Sequence, residues 1–403
     1  MKSSKGTILL LLAIALVAGC GGGGGSDSSS GGTPTAQDAE VTASNVVRVT
    51  VNGSLCSVNS YLNKPCVSVT VCSPGTSTCQ TINDILLDTA NYGLRLFKDV
   101  LTVPLSQLTI GSASLAECVQ YGDGSSQWGP VQMASVILGG EPAVQVPIQV
   151  IDATFGSLPS QCQNADRSPA SAGFNGILGV GLFAEDCGPA CTTIAGNGRY
   201  FACTGTTCPG TTVPLSSQVQ NPVARLPVNN NGVMVQLPGV PLEGSPSVDG
   251  QLVLGIGTQS NNMPSGVTVF PARQNGTFTT SFNGISYTSF LDTGSNGLFF
   301  PSPSATELPN CPSPAAAWFC PSSTMSFSAT NIAASGSPSG MVSFQIGNFL
   351  SLVSSSDNRV FPDIGGNEVG QFDWGLPFHL GRNVFVGIEG RSSGLGTGPY
   401  WAY

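Results

Sequence analysis

The order of apolar and polar positions divides the chain into three stretches. Lys2 and Lys5 precede an unbroken apolar run from Ile8 to Ala18, 11 residues long. A helix needs about 20 apolar residues to cross a bilayer, so this run is too short to span. A basic start, a short apolar run and small residues behind it predict a secretory signal over residues 1–19. Gly21 to Gly25 and Ser28-Ser29-Ser30-Gly31-Gly32 come next. Residues of this kind bury no apolar surface, so residues 20–45 are expected to be a tether with a reach of roughly 25–30 Å. In the remainder, short apolar runs predict strands. Two of them end in a carboxylate: Ile85-Leu86-Leu87 runs into Asp88, and Phe290-Leu291 runs into Asp292. A carboxylate at the end of a buried strand is costly unless it has partners or a shifted pKa, which marks both positions for chemistry.

Composition sharpens the fold class. About 360 residues follow the tether, too many for one small core, so two lobes are expected, over residues 46–230 and 231–403. Only 9% of residues are charged, while Gly and Ser are abundant. That balance favours sheet over exposed amphipathic helices, and hence an all-β fold. Without the signal, 11 basic residues face 22 acidic ones, a net charge near −11. A chain so acidic, with no basic cluster, is not expected to bind nucleic acid. Twelve cysteines follow Cys20, an even number that suits disulfides in an exported protein. Close spacing suggests Cys56/Cys66, Cys72/Cys79, Cys187/Cys191, Cys203/Cys208 and Cys311/Cys320, leaving Cys118 and Cys162. Sequence alone does not fix the connectivity. The cysteine spacings and the single histidine do not suit a metal site, and no cofactor is expected.

The chemistry open to the chain is narrow. His379 is the only histidine and lies in the apolar stretch Leu376-Pro377-Phe378-His379-Leu380, which reads as a structural position. No G-x-S-x-G elbow accompanies a serine, and no phosphate-binding glycine motif follows a strand. Carboxylates remain as general acid and base. The segment Leu87-Asp88-Thr89-Ala90-Asn91-Tyr92-Gly93-Leu94 matches Leu291-Asp292-Thr293-Gly294-Ser295-Asn296-Gly297-Leu298 at five of eight positions. An internal repeat of this kind argues for two equivalent lobes.

An Asp-Thr-Gly-Ser motif after an apolar strand, once per lobe, resembles the active-site signature of pepsin-like aspartic peptidases. Gln120-Tyr121-Gly122-Asp123-Gly124-Ser125 resembles the tip of their flap hairpin. Phe174 to Gly179, Asp249 to Gly255, Trp374 to Phe378 and Asn383 to Gly387 resemble further strands of that family. Phe372-Asp373-Trp374-Gly375 through Glu389-Gly390 looks like a family of bacterial exported proteins of unknown function. At the N-terminus, Leu16-Val17-Ala18-Gly19-Cys20 resembles the bacterial lipobox, which implies lipidation of Cys20 and anchoring in the cell envelope, at the outer membrane in a two-membrane host.

The pepsin-like resemblance implies an all-β, bilobal double β-barrel with a central cleft. It implies that Asp88 and Asp292 share a proton, activate a water and cleave polypeptide lying between the lobes. Thr89 and Thr293 would hold the two loops together. Ala90, Asn91, Gly294 and Ser295 would support the carboxylates, while Tyr121, Gly122 and Asp123 would cover substrate as a monomer's flap. Three positions depart from the pattern. Ala90 stands for a glycine and adds a methyl to a tight loop. Asn91 replaces a hydroxyl residue, although its amide is able to donate in its place. Asp373 stands for an apolar residue. The sequence therefore leaves two readings open, an anchored aspartic endopeptidase and a catalytically impaired binding or structural lipoprotein of the same fold.

Overall fold

The computed structural model describes residues 43–304, 307–354 and 357–403. Cys20, the signal and most of the tether lie outside those residues. The described chain is all-β, with a closed six-stranded barrel and a half-barrel.

The barrel is built from Pro65–Cys72, Cys79–Asp88, Gly176–Val180, Tyr92–Phe97, Val144–Ile151 and Ser126–Ile137, each paired with the next. It closes where Thr70 to Cys72 pair with Ile137 to Ser135. Alternation of apolar positions selects the inner face, as a strand's period of two requires. Val69, Leu87, Leu94, Ile148 and Leu178 meet there, fully buried. Truncating such a leucine to alanine costs about 2–5 kcal/mol.

A second run of strands joins the lobes. Val46–Val51 pairs with Val248–Leu254, followed by Gly232–Leu237, Arg382–Gly387, Tyr400–Ala402 and Val269–Pro271. This sheet takes strands from both sides of residue 230. The half-barrel runs Ser339–Ile346, Met325–Ile332, Phe278–Phe282, Ile285–Leu291, Gln371–Trp374, Leu298–Phe300 and Gly365–Asn367. Aromatic packing fills it: Phe300 stacks on Phe372 at 5.1 Å, and Phe344 meets Trp374 edge-on at 5.4 Å. The double barrel expected from sequence is thus one closed barrel and one half-barrel. In the second lobe the outer strands Ser339–Ile346 and Gly365–Asn367 do not pair with each other. A hollow of about 590 Å³ lies along that lobe, lined by Phe327, Phe344, Trp374 and Arg382 among others.

The two lobes repeat one local plan. Cys79–Asp88 and Tyr92–Phe97 do not pair with each other, because Gly176–Val180 lies between them, parallel to the first and antiparallel to the second. Ile285–Leu291 and Leu298–Phe300 flank Gln371–Trp374 in the same way. The Asp-bearing loop of each lobe crosses the end of its inserted strand. That crossing leaves no room for side chains: a Cβ on Gly179 would lie 2.5 Å from Tyr92 N, and one on Gly375 would lie 2.0 Å from Gly297 O.

The six disulfides are Cys56–Cys66, Cys72–Cys79, Cys118–Cys162, Cys187–Cys191, Cys203–Cys208 and Cys311–Cys320. The five local pairs agree with the spacing argument, and the remaining two cysteines pair across 44 residues. Among the described residues no helix is long and apolar enough to cross a membrane.

Candidate active site

Asp88 and Asp292 meet where the two lobes join. Each sits where a strand, Cys79–Asp88 or Ile285–Leu291, enters its loop, and the two carboxyls lie beside Gly294. The backbone of Gly294 runs between them, so closely that a Cβ there would stand 2.8 Å from the Asp88 carboxyl and 3.1 Å from Asp292 Oδ1. Only glycine fits this position.

The loops are braced by a reciprocal set of hydrogen bonds. Thr89 Oγ1 donates to Leu291 O at 2.9 Å and accepts from Thr293 N at 3.0 Å. Thr293 Oγ1 donates to Leu87 O at 2.7 Å and accepts from Thr89 N at 3.1 Å. Both threonines are fully buried. Loss of either hydroxyl strands a buried donor and a buried acceptor, each worth about 1–3 kcal/mol. Thr89→Val, which keeps the shape, is expected to lower unfolding free energy by that amount in urea titration. An unchanged midpoint would show that the loops are held by something else.

Within each loop the amide two residues on supports the carboxylate. Ala90 N donates to Asp88 Oδ1 at 2.9 Å, and Gly294 N to Asp292 Oδ1 at 2.8 Å. The methyl of Ala90 therefore leaves its amide in place. The next position breaks the symmetry. Ser295 Oγ donates to Asp292 Oδ2 at 2.8 Å. Asn91 makes no such bond to Asp88. Its Nδ2 donates to the Tyr121 hydroxyl at 3.3 Å, and its Oδ1 accepts from Tyr92 N and from Arg95 Nη1. The side-chain donation open to Asn91 is not made to Asp88, because Tyr92 N, Arg95 and the Tyr121 hydroxyl hold that amide turned away.

This asymmetry sorts the two acids. Burial and the neighbouring Asp292 charge push Asp88 well above the usual carboxylate range. Burial also raises Asp292, but hydrogen bonds from Ser295 and Gly294 oppose it. Both acids are thus pushed upward, Asp88 the further, and the two titrate as a pair.

Tyr121, Gly122 and Asp123 occupy the turn between Ala113–Gln120 and Ser126–Ile137. Asp123 Oδ1 accepts from Ser125 N and Oγ, and Gly124 takes φ +82°, closing the turn. The Tyr121 hydroxyl points inward and donates to Gln127 Oε1 at 2.8 Å. Sequence reasoning missed Tyr61, whose hydroxyl donates to Gly294 O at 3.1 Å. Burial, reinforced by the Asp292 and Asp88 charges, pushes its phenol upward. Asn63 of the same loop donates to Asn296 O at 2.8 Å. That loop carries the Cys56–Cys66 staple, the only sequence signal that it is held in one place. His379 lies fully buried with Nδ1 3.3 Å from Gly375 O, and burial pushes it down to about 3. It is neutral at physiological pH and structural, as its apolar setting suggested.

A family model described as "Protein of unknown function (DUF3443)" matches residues 41–403. The chain belongs to this family. The match takes in both Asp-Thr loops, and also the segment Phe372 to Gly390 whose likeness pointed to an uncharacterised family. No curated protein matches this DUF3443 chain.

Proposed function

We propose that this DUF3443 protein is an aspartic-peptidase-type hydrolase of pepsin-like bilobal fold. Asp292, ionised, takes a proton from a water held between the carboxyls. The water attacks a peptide carbonyl, and the proton of Asp88 meets the forming oxyanion; as the C–N bond breaks, Asp292 passes the proton it took from the water to the leaving amine and Asp88 takes its proton back. The single observation that carries the reading is the Thr89–Thr293 brace, which fixes two repeated Asp loops with both carboxyls beside Gly294. Inserted strands of the same kind in both lobes support the finer fold assignment. The substrate is an extended polypeptide, admitted when the Tyr121 hairpin lifts. The protein is exported, works as a monomer and is held to the cell envelope through lipidated Cys20, at the outer membrane where there are two.

Assay of an unfolded protein substrate from about pH 3 to pH 7 tests the hydrolytic reading, since that range spans ordinary carboxyl values and upward shifts from them. Cleavage peaking on the acidic side is expected. Ala90→Gly should leave it nearly unchanged, because the Ala90 amide already sits where Gly294's does. Fractionation of the native host tests the anchor: Cys20→Ser should release the protein from membranes or leave it unprocessed, and unchanged lipidation would sink that part.

A second reading is favoured by Asn91, which withholds a donor from Asp88. Here the groove binds peptide without cutting it, and the parent shows binding but no cleavage at any pH.

A further inference from the structure

The close approach at Gly294 creates a mechanical need. Its backbone runs where a Cβ would stand 2.8 Å from the Asp88 carboxyl, and its N–H donates to Asp292 Oδ1 at 2.8 Å. Glycine has the widest backbone freedom of any residue. The residue that supplies this donor is therefore the one least able to hold it in place. Ala90, its counterpart in the first lobe, makes the same kind of bond to Asp88 from a backbone that a side chain already restricts. Gly294 calls for a tie from outside its own loop.

The tie comes from the first lobe. Tyr61 Oη donates to Gly294 O at 3.1 Å. Gly294 is thus held at both ends, through its N–H by Asp292 and through its carbonyl by Tyr61. The tyrosine is itself fixed. Its N–H donates to Asn59 Oδ1 at 3.0 Å, and its carbonyl accepts from Asn52 Nδ2 at 2.6 Å. Its ring packs against the apolar cluster of Leu86, Phe97 and Phe174, so the ring keeps its place without help from the hydroxyl.

Two residues on, the same loop grips the second lobe again. Asn63, fully buried, donates through Nδ2 to Asn296 O at 2.8 Å and to Phe361 O at 2.9 Å. Its Oδ1 accepts from Phe361 N at 2.7 Å. The loop is anchored in its own lobe by buried Lys64, whose Nζ donates to Asp84 Oδ1 at 2.7 Å and to Gly173 O at 2.9 Å. Cys56–Cys66 closes it. A rigid first-lobe loop therefore holds the second lobe's Asp loop on both sides of Ser295.

We propose that Tyr61 is a positioning residue: by holding the Gly294 carbonyl, it keeps the Gly294 N–H on Asp292 Oδ1 and so stabilises the Asp292 anion. The inference rests on the hydrolytic reading for its catalytic consequence but not for its effect on Asp292.

The test is Tyr61→Phe, which removes the hydroxyl and keeps the ring. Two quantities are read in the full chain: the NMR titration of the Asp292 carboxyl carbon after ¹³C-aspartate labelling, assigned by its loss in Asp292→Asn, and kcat and KM on an unfolded protein. A loosened Gly294 N–H holds the anion less well, so the Asp292 midpoint should rise by about half a pH unit. The titratable group beside Asp292 is Asp88, and Asp373 pairs with Phe290 in the preceding strand; the substitution changes neither. In the enzyme, kcat should fall about tenfold with KM held, since substrate does not touch Gly294 O in this scheme. A merely structural tyrosine predicts a lower urea midpoint with the Asp292 titration unmoved, and that result overturns the proposal. If Tyr61→Phe does not fold, Asn59→Ala, which unties the Tyr61 amide, decides by the same midpoint: a rise supports the tie and no change overturns it. A parent that cuts no peptide, with the Asp292 shift intact, would defeat the hydrolytic reading and leave this one standing. A parent that cuts, with an unmoved midpoint in Tyr61→Phe, would defeat this one alone.

Discussion

Asp292→Asn is expected to abolish cleavage of an unfolded protein, a loss on the order of 10³-fold or more, with the fold unchanged. Asparagine keeps an oxygen to accept from Gly294 N, so no buried amide is stranded. It cannot ionise, so in the proposed mechanism it cannot take the proton of the attacking water. Asp88→Asn should fail as well, because it carries the proton that the oxyanion needs. The pH profile follows from the signs of the two shifts. The working form has one proton on the pair. It appears as Asp292 ionises and disappears when Asp88 loses its proton, and both events are pushed above ordinary carboxyl values, Asp88 further. The rising limb therefore belongs to Asp292 and the falling limb to Asp88, with the macroscopic values belonging to the pair. Circular dichroism and urea unfolding of the variant check the fold. Cleavage that survives Asp292→Asn would place the activity at another site or in a contaminant. A parent inert at every pH, binding peptide equally well with and without Asp292→Asn, would favour the non-catalytic groove.

The legible parts of this molecule are those where one local requirement repeats. The Asp-Thr loops show in sequence because both must leave a strand, cross an inserted strand and brace each other, which constrains the same positions twice. The short disulfides show because few residues separate their cysteines. The second lobe's failure to close does not show, because closure depends on pairing between strands Ser339–Ile346 and Gly365–Asn367, distant in sequence and not distinguished by pattern. Tyr61 and Arg95 do not show either. Each acts at the site through contacts set by long-range register: Tyr61 reaches Gly294 across 233 positions. Asp373 shows only as an anomaly, a carboxylate in an otherwise apolar stretch of strand. Asn91 was legible as a substitution but not as an orientation. What turns its amide from Asp88 is the Tyr92 amide, the Tyr121 hydroxyl and a guanidinium buried four residues away.

That guanidinium carries the largest expected effect on stability. Arg95 is fully buried and donates to Tyr92 O at 2.6 Å, Asn91 Oδ1 at 3.2 Å, Glu117 Oε1 at 3.1 Å and Asp186 Oδ2 at 2.8 Å. Arg199 and the Tyr200 hydroxyl complete the cluster at Asp186. Burial and the adjacent Asp186 charge push Glu117 well above the usual carboxylate range. Burial pushes Asp186 up too, but Glu117, Arg199, Arg95 and Tyr200 together hold it below the usual range. Arg95→Leu removes one partner of a buried ionic cluster and leaves the acids behind, which costs about 3–5 kcal/mol. Urea unfolding should show that loss at neutral pH. A group with a depressed native pKa contributes stability above its unfolded value and loses it as pH falls, so Asp186 helps the parent most at neutral pH. The deficit of Arg95→Leu should therefore shrink on acidification, where protonation discharges the stranded Asp186. Glu117→Gln, which replaces an acid that burial and Asp186 push toward its neutral form, should cost far less, within about 1 kcal/mol. If Glu117→Gln proved as damaging as Arg95→Leu, Glu117 would be ionised and the proton would lie elsewhere in the cluster. Loss of Arg95 also removes one of the two donors to Asn91 Oδ1, leaving Tyr92 N at 2.8 Å to hold the amide.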